Sequence, residues 1–266
     1  MDSRPIGIFD SGLGGLTVVK SIRALLPNES IIYFGDTARV PYGNKSKELI
    51  KEYSSEITEF LVKKDVKLVI VACNTVSAMV LNTLKNNNST PVLGVIEPGV
   101  SEAISTTNNK HIGIIGTIAT VKSDAYSIAL KTLDNNIKTI SQACPLFVPL
   151  IEEGWLEGDV VNMVVTHYLS PLKEKNIDTL ILGCTHYPLL KNTIAKLLNR
   201  KTVLIDSANA VAIAVQKQLT DYNLLNNNNE NGSLICFVTD IPMRFESLGK
   251  RFLGSYIDSV QIVNDL

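Results

Sequence analysis

Two of the four cysteines stand in matching settings. VIVACNT (residues 69–75) and LILGCTH (residues 180–186) each end an apolar run in a small residue, then a cysteine, then side chains able to hydrogen-bond. A single cysteine is most often a small buried hydrophobe. Cys144, before Pro145 in a strand-like segment, and Cys236, inside LICFVT, read that way. Cys73 and Cys184 read differently because they share a setting. Thiols on opposite walls of a cleft suit one chemistry well. One thiolate takes a hydrogen from a carbon as a proton, the opposed thiol returns a proton to the other face, and the product is the mirror image. A free thiol titrates at about 8.5, close enough to neutrality to serve as base or acid. A helix N-terminus is expected after each cysteine, where it favours thiolate and offers amides to a carboxylate or developing enolate.

Each thiol needs a proton partner. His186 stands two residues after Cys184 and can shuttle a proton or stabilise charge. Asp10 closes the strand-like PIGIFD and is the candidate for the other side, although an acid there also suits a plain helix cap, a reading Ser11 shares. The glycines of DSGLGGLT (Gly12, Gly14 and Gly15) do not complete G-x-G-x-x-G, because position 17 is Thr. They read as a tight turn that lets backbone approach a small ligand. The long polar stretch 35–46, GDTARVPYGNKS, is either a solvated loop or a wall offering Tyr42 and backbone amides. Cys73, Cys184 and His186 have the chemistry of a zinc site, but Cys184 and His186 are poorly spaced for one. No lysine sits at a motif strand end to form a Schiff base, and no phosphate-binding G-x-x-x-x-G-K-[ST] loop is present.

These side chains need elements to hold them. Strands are expected at 5–10, 30–35, 67–72, 91–95, 111–116, 137–141, 179–183, 202–206, 233–239 and 257–263. Helices are expected between them, at 14–26, 46–63, 75–87, 98–106, 120–133, 157–174, 188–199, 207–219 and 243–252. Several strands are apolar on both faces, as parallel strands covered by helices on each side must be. Alternation of strand and helix predicts a doubly wound α/β fold, with ligands at the carboxyl ends of the strands. An internal repeat sharpens this. GIFDSGLGGLTVVKS (7–21) parallels GIIGTIATVKS (113–123), and the spacing from Asp10 to Cys73 is close to that from Thr117 to Cys184. Two similar doubly wound α/β domains related by a pseudo-two-fold would each bring one cysteine to the cleft between them.

The bulk properties set the frame. A chain of 266 residues makes one large or two ordinary domains. With 45% hydrophobic and 19% charged residues it is too apolar to be disordered. A net charge of −1 argues against nucleic acid or an acidic membrane as partner. No apolar run approaches the roughly 18 residues of a membrane span, and MDSRPIGIFDSG has no signal-peptide pattern, so a cytoplasmic protein is expected. Four cysteines without a C-x-x-C pair suit a reducing compartment. Asn86 to Asn88 and the run 226–229 are expected to be surface loops.

Taken in order, FDSGLGGLTV, YFGDTARVPYGNKS, ACNTVSA, GVIEPG, IGTIATVKS, CPLFVPLIEEG, LGCTHYPLL and DSA span nearly the whole chain. This set resembles the glutamate racemase family, as does the closing TDIPMRFESLGKRFLG. The resemblance implies cofactor-independent, two-base interconversion of L- and D-glutamate, with no metal, supplying D-glutamate for peptidoglycan. It maps the two bases onto Cys73 and Cys184 and the assisting groups onto Asp10 and His186. It maps substrate contacts onto Asp10, Ser11, Tyr42, Gly43, Asn74, Thr75, Thr185 and His186, with Thr117 a further one. Asp36 and Glu152 fall on acidic positions of the family's site. The resemblance also implies a discontinuous first domain, 1–96 plus 208–266, a second domain, 97–207, and a homodimer. Rival readings are a two-cysteine relative acting on aspartate or another small diacid, and a non-catalytic small-ligand carrier. Carriers need no matched thiols, and aspartate-type relatives tend to carry an acid where His186 stands. One methylene separates the two amino acids, a difference of about 1–3 kcal/mol in a pocket.

Overall fold

The computed structural model describes residues 2–198, 200–228, 230–255, 257 and 259–263, apart from the side chains of residues 242 and 244. Apolar runs without polar alternation need cover on both faces, and they form the central parallel strands. β1 (Ile6–Asp10), β2 (Ile31–Gly35), β3 (Leu68–Val71) and, in the second sheet, β7 (Thr179–Gly183) are buried at every residue. The other strands are β4 (Val92–Gly94), β5 (His111–Gly116), β6 (Lys138–Ala143), β8 (Val203–Asp206), β9 (Leu234–Val238) and β10 (Val260–Ile262). The polar KTISQA of β6 suits its place at an open edge, where no residue is fully buried.

Every strand pairing is parallel. One sheet has the order β10-β9-β2-β1-β3-β4 and the other β6-β5-β7-β8. The segment β2-β1-β3-β4 therefore has the same order as the whole second sheet, as a duplicated unit predicts. In each unit the first and third strands lie side by side, with Phe9 opposite Val71 and Gly116 opposite Gly183. That junction is the switch point of a doubly wound sheet, where helices leave on opposite faces and open a crevice. Both cysteines emerge there.

Helices cover the sheets: α1 (Leu16–Leu25), α2 (Lys47–Lys63), α3 (Asn74–Met79), α4 (Leu81–Asn87), α5 (Ile96–Thr106), α6 (Ile118–Lys122), α7 (Ala125–Leu133), α8 (Phe147–Glu152), α9 (Asp159–Lys173), α10 (Lys191–Leu197), α11 (Ser207–Asp221) and α12 (Pro242–Leu253). One apolar cluster runs from Ile8 and Ile70 through Val19, Val211 and Val215 to Leu180 and Leu182. Each such side chain contributes roughly 1.5–3 kcal/mol on burial. The two sheets are thus joined by shared core, not only by chain. Among the described residues, no helix is long and apolar enough to cross a membrane.

The structure departs from the expected elements in several places. The helix expected over 75–87 is two, α3 and α4, broken at Val80, whose φ of −136° leaves the helical region. The helix expected over 120–133 is also two, α6 and α7, because Asp124 is left-handed (φ 55°). The strand expected at 137–141 runs 138–143, and Cys144 lies just beyond it. Asn86 and Asn87 close α4 instead of forming a loop. Helix α8 is additional to the expected set, and its sequence carries a proline. Pro149 is its third residue, where the missing N–H has no helical partner to lose. Position 199 of the expected helix 188–199, position 229 of the asparagine run and position 258 of the expected strand 257–263 lie outside the described residues.

Candidate active site

A cavity of about 330 Å³ opens between the two sheets at their switch points. Cys73 and Cys184 both line it, and both are buried. Cys73 is the N-cap of α3, so free amides follow it directly, as expected. Cys184 differs: Thr185 and His186 lead into a single 3-10 turn, Tyr187–Leu190, before α10 begins. The wall also includes Ser11, Tyr42, Gly43, Asn74, Thr75, Thr117, Glu152, Thr185 and His186. Asp10 and Asp36, expected at the site, do not line the cavity; both are buried behind it.

The two repeated units cross over to hold one another. Asp10, at the end of β1, accepts a hydrogen bond from Thr185 Oγ1 at 3.4 Å, next to Cys184. Thr117, just beyond β5, meets Thr75 Oγ1 at 3.0 Å, two residues after Cys73. The threonines of the shared T-V-K-S ending cross as well. Thr17 Oγ1 lies 3.3 Å from the Thr185 carbonyl, and Thr120 Oγ1 lies 3.3 Å from Thr75 Oγ1. Each strand end thus supports the other unit's cysteine segment.

The two sulfurs have different neighbours. Cys73 Sγ lies 3.9 Å from Ser11 Oγ. Burial pushes the Cys73 thiol up to about 12, and the Asp10 carboxylate adds to this. Burial likewise raises Asp10, against the pull of His186 and of the Gly15, Gly12 and Ser11 amides. Cys184 Sγ lies 3.9 Å from His186 Nδ1, and His186 Nε2 is 3.1 Å from Glu152 Oε1. Burial alone would lower the His186 pKa, but Cys184, Glu152 and Asp10 together raise it to about 10. One sulfur therefore faces a cation at neutral pH and the other an acid. Phe252 of α12 stands edge-on to the imidazole with centroids 5.2 Å apart, which fixes its plane.

This charge arrangement has a measurable consequence. Glu152→Gln removes an anion from His186, and the imidazole should then titrate below about 10. Ring NMR shifts followed against pH measure this; an unchanged titration would show that Glu152 does not hold the charge. The folded-state pKa of His186 is raised, so its contribution to stability is fully present below pH 6.5 and is lost as pH rises towards about 10. In the Glu152 variant that loss should be complete at lower pH. The raised Cys73 thiol erodes stability in a higher window, from 9.0 to about 12, because the unfolded thiol ionises first.

Asp36 has a different place from the one expected. Its carboxylate accepts from Arg39 Nε at 2.7 Å, from Thr239 Oγ1 at 2.9 Å and from the Tyr42 hydroxyl. It anchors the 39–44 wall from behind. Gly43 brings that wall so close to Thr117 that a β-carbon would sit 2.8 Å from Thr117 Cβ. Gly14 also differs from its expected use. The space it leaves is filled by Thr185 and His186, not by ligand. Gly12 does line the cavity, as a ligand-facing glycine would.

Several contributors carry little or no signal in the sequence. Tyr33 donates to the Gly12 carbonyl at 2.7 Å, and Tyr126 accepts from Asn74 Nδ2 at 2.7 Å. Pro145, Val148 and Pro149 line the cavity from the segment around α8. The signal for Thr120 is present in the repeated T-V-K-S. Tyr33 and Tyr126 have none, since each looks like an ordinary core aromatic. Among the described residues, no three His, Cys, Asp or Glu side chains gather as a metal site.

Comparison with known proteins places this geometry. The family described as Asp/Glu/Hydantoin racemase matches residues 12–215. A glutamate racemase from Geobacter metallireducens is 48% identical over 264 residues, 99% of this chain and 98% of its own length. The crystal structure of the glutamate racemase from Francisella tularensis in complex with D-glutamate superposes with a TM-score of 0.93 at 43% identity, covering 99% and 98% of the two chains. A glutamate racemase isoform from Bacillus anthracis gives 0.96 at 41% identity, with the same coverage.

Proposed function

The chain belongs to the Asp/Glu/hydantoin racemase family, and on that footing we propose that it interconverts L- and D-glutamate by proton transfer between Cys73 and Cys184. One observation carries this reading: two buried cysteines at equivalent strand ends line one cavity, each with its own polar partner. In one direction the Cys184 sulfur, 3.9 Å from His186 Nδ1, acts as the base. The Cα–H bond breaks, its proton forms the Cys184 S–H bond, and the electron pair spreads into the carboxylate. Cys73 then gives its proton to the opposite face. The turnover leaves Cys73 as thiolate and Cys184 as thiol, the form that runs the reverse reaction. His186 and Glu152 serve the Cys184 side, and Asp10 and Ser11 the Cys73 side.

Among the described residues, no Lys or Arg lines the cavity. Substrate carboxylates must then be held by hydroxyls and amides: Ser11, Asn74, Thr75, Thr117, Thr185, the 42–43 backbone and the free N–H groups that open α3. Asp36 acts through Tyr42 in this scheme and does not touch substrate. The division into domains 1–96 plus 208–266 and 97–207 belongs to the same proposal, supported by the repeated strand order. So do a homodimer, a cytoplasmic location and the supply of D-glutamate to peptidoglycan, which depletion of the protein should turn into a D-glutamate requirement.

Purified protein freed of metal and cofactor should racemise L-glutamate at least about tenfold faster than L-aspartate, the lower edge of one-methylene discrimination. Circular dichroism of each amino acid measures it. Equal rates on the two substrates, or preference for aspartate, would overturn the glutamate assignment.

A further inference from the structure

Two residues adjoin the reactive cysteines in the chain. Asn74 follows Cys73 and opens α3; Gly183 precedes Cys184 and closes β7. One side chain touches both. The Tyr126 hydroxyl, from α7, accepts from Asn74 Nδ2 at 2.7 Å. Its ring lies so near Gly183 that a β-carbon there would sit 3.2 Å from Tyr126 Cε2. Gly183 is itself pinned in the sheet opposite Gly116. Tyr126 is 2% exposed and does not line the cavity, so it has no route to substrate. Its ring is seated on the second sheet, and its hydroxyl reaches across to the first unit.

We propose that Tyr126 is a positioning residue: its ring on Gly183 and its hydroxyl on Asn74 set the separation of the two sulfurs, and so decide how often proton abstraction ends in inversion. This rests on the two-cysteine reading above. The physical reason is the short reach of proton transfer. The planar intermediate is inverted only if the second sulfur stands within about 3–3.5 Å of its free face. If α3 drifts outward, the first sulfur returns the proton instead and no inversion follows. Burial raises the Tyr126 phenol to about 12, so it stays a neutral hydrogen-bonding group throughout the working range. On its other side α3 is braced by the hydrogen bonds of Thr75 to Thr117 and Thr120, so loss of the Tyr126 contact alone should loosen it without unfolding it.

The test is Tyr126→Phe assayed in deuterated water with each pure enantiomer. Inversion is read by chiral chromatography, and deuterium in recovered, uninverted substrate by mass spectrometry. A sulfur that takes a proton and waits without inversion has time to exchange it with solvent deuterium before returning it, so failed inversions that outlast this exchange mark the substrate. The expected result is an exchange-to-inversion ratio raised about fivefold or more, the factor matching one lost hydrogen bond of about 1 kcal/mol. Tyr126→Leu, which also removes the ring, should raise the ratio further. Both quantities in the ratio come from the same folded molecules, so an unfolded fraction neither mimics nor hides the effect. A Tyr126→Phe ratio equal to that of the unmodified protein overturns the proposal. If the unmodified protein already returns deuterium to substrate as often as to product, the two-cysteine reading fails, and this inference with it.

Discussion

Replacing Cys73 or Cys184 with serine should lower glutamate racemisation about 10²–10⁴-fold, the usual contribution of a positioned acid or base. The substitution keeps the shape of the side chain. Both cysteines are buried, Cys73 in the apolar cluster around Val71 and Val76 and Cys184 in the one that joins the sheets. A serine hydroxyl fills nearly the same volume, so the fold should survive and the loss should be chemical. The two variants should also differ from each other. Cys73→Ser keeps the sulfur at Cys184 and should still exchange the Cα hydrogen of the enantiomer that meets it. Cys184→Ser should exchange only the other enantiomer. Circular dichroism gives racemisation, and deuterium uptake into each pure enantiomer gives the half-reactions. Near-normal racemisation by either variant in both directions would sink the two-base assignment.

Gly14→Ala is the second large effect. A β-carbon at position 14 would sit 2.1 Å from Thr185 Oγ1 and 2.5 Å from His186 Nδ1. These are not the far ends of flexible chains. The Thr185 carbonyl is held by Thr17, the Thr185 hydroxyl by Asp10, and the His186 ring by Glu152 and Phe252. The turn and the Cys184 segment must therefore part. Overpacking of this kind destabilises by about 1–3 kcal/mol. A displacement of about 1 Å at a reacting group can cost 10²-fold in rate. Urea unfolding and kcat/KM together measure both effects. Wild-type activity in Gly14→Ala would mean that the segment has slack, and that the crossing contacts do not position Cys184.

Residue types and their order make the chemistry readable. Cys73 and Cys184 in matching contexts, His186 beside one of them and the repeated GIFDSG and GIIGT strand ends point to a duplicated α/β fold with a shared cleft. The repeated strand order explains why those motifs correspond. Strand and helix positions are readable for the same reason: apolar periodicity is local, and burial on both faces leaves an unbroken apolar run. Breaks within helices are not readable. Val80 and Asp124 depart from helical geometry without a glycine or proline to announce it.

What the sequence determined by itself is the cast of reactive groups and the element carrying each one. Only the tertiary structure decided who holds whom. Asp36, a plausible active-site acid by sequence, is turned away from the cavity to hold Tyr42 and Arg39. Gly14 makes room for Thr185 and His186, which lie far along the chain, and Tyr126 spans the two cysteine segments. The partners of Gly14 and of the Tyr126 hydroxyl come from the other repeated unit. Their pairing depends on how the two sheets face each other, and no local periodicity encodes a contact between residues that meet only when both sheets share one core.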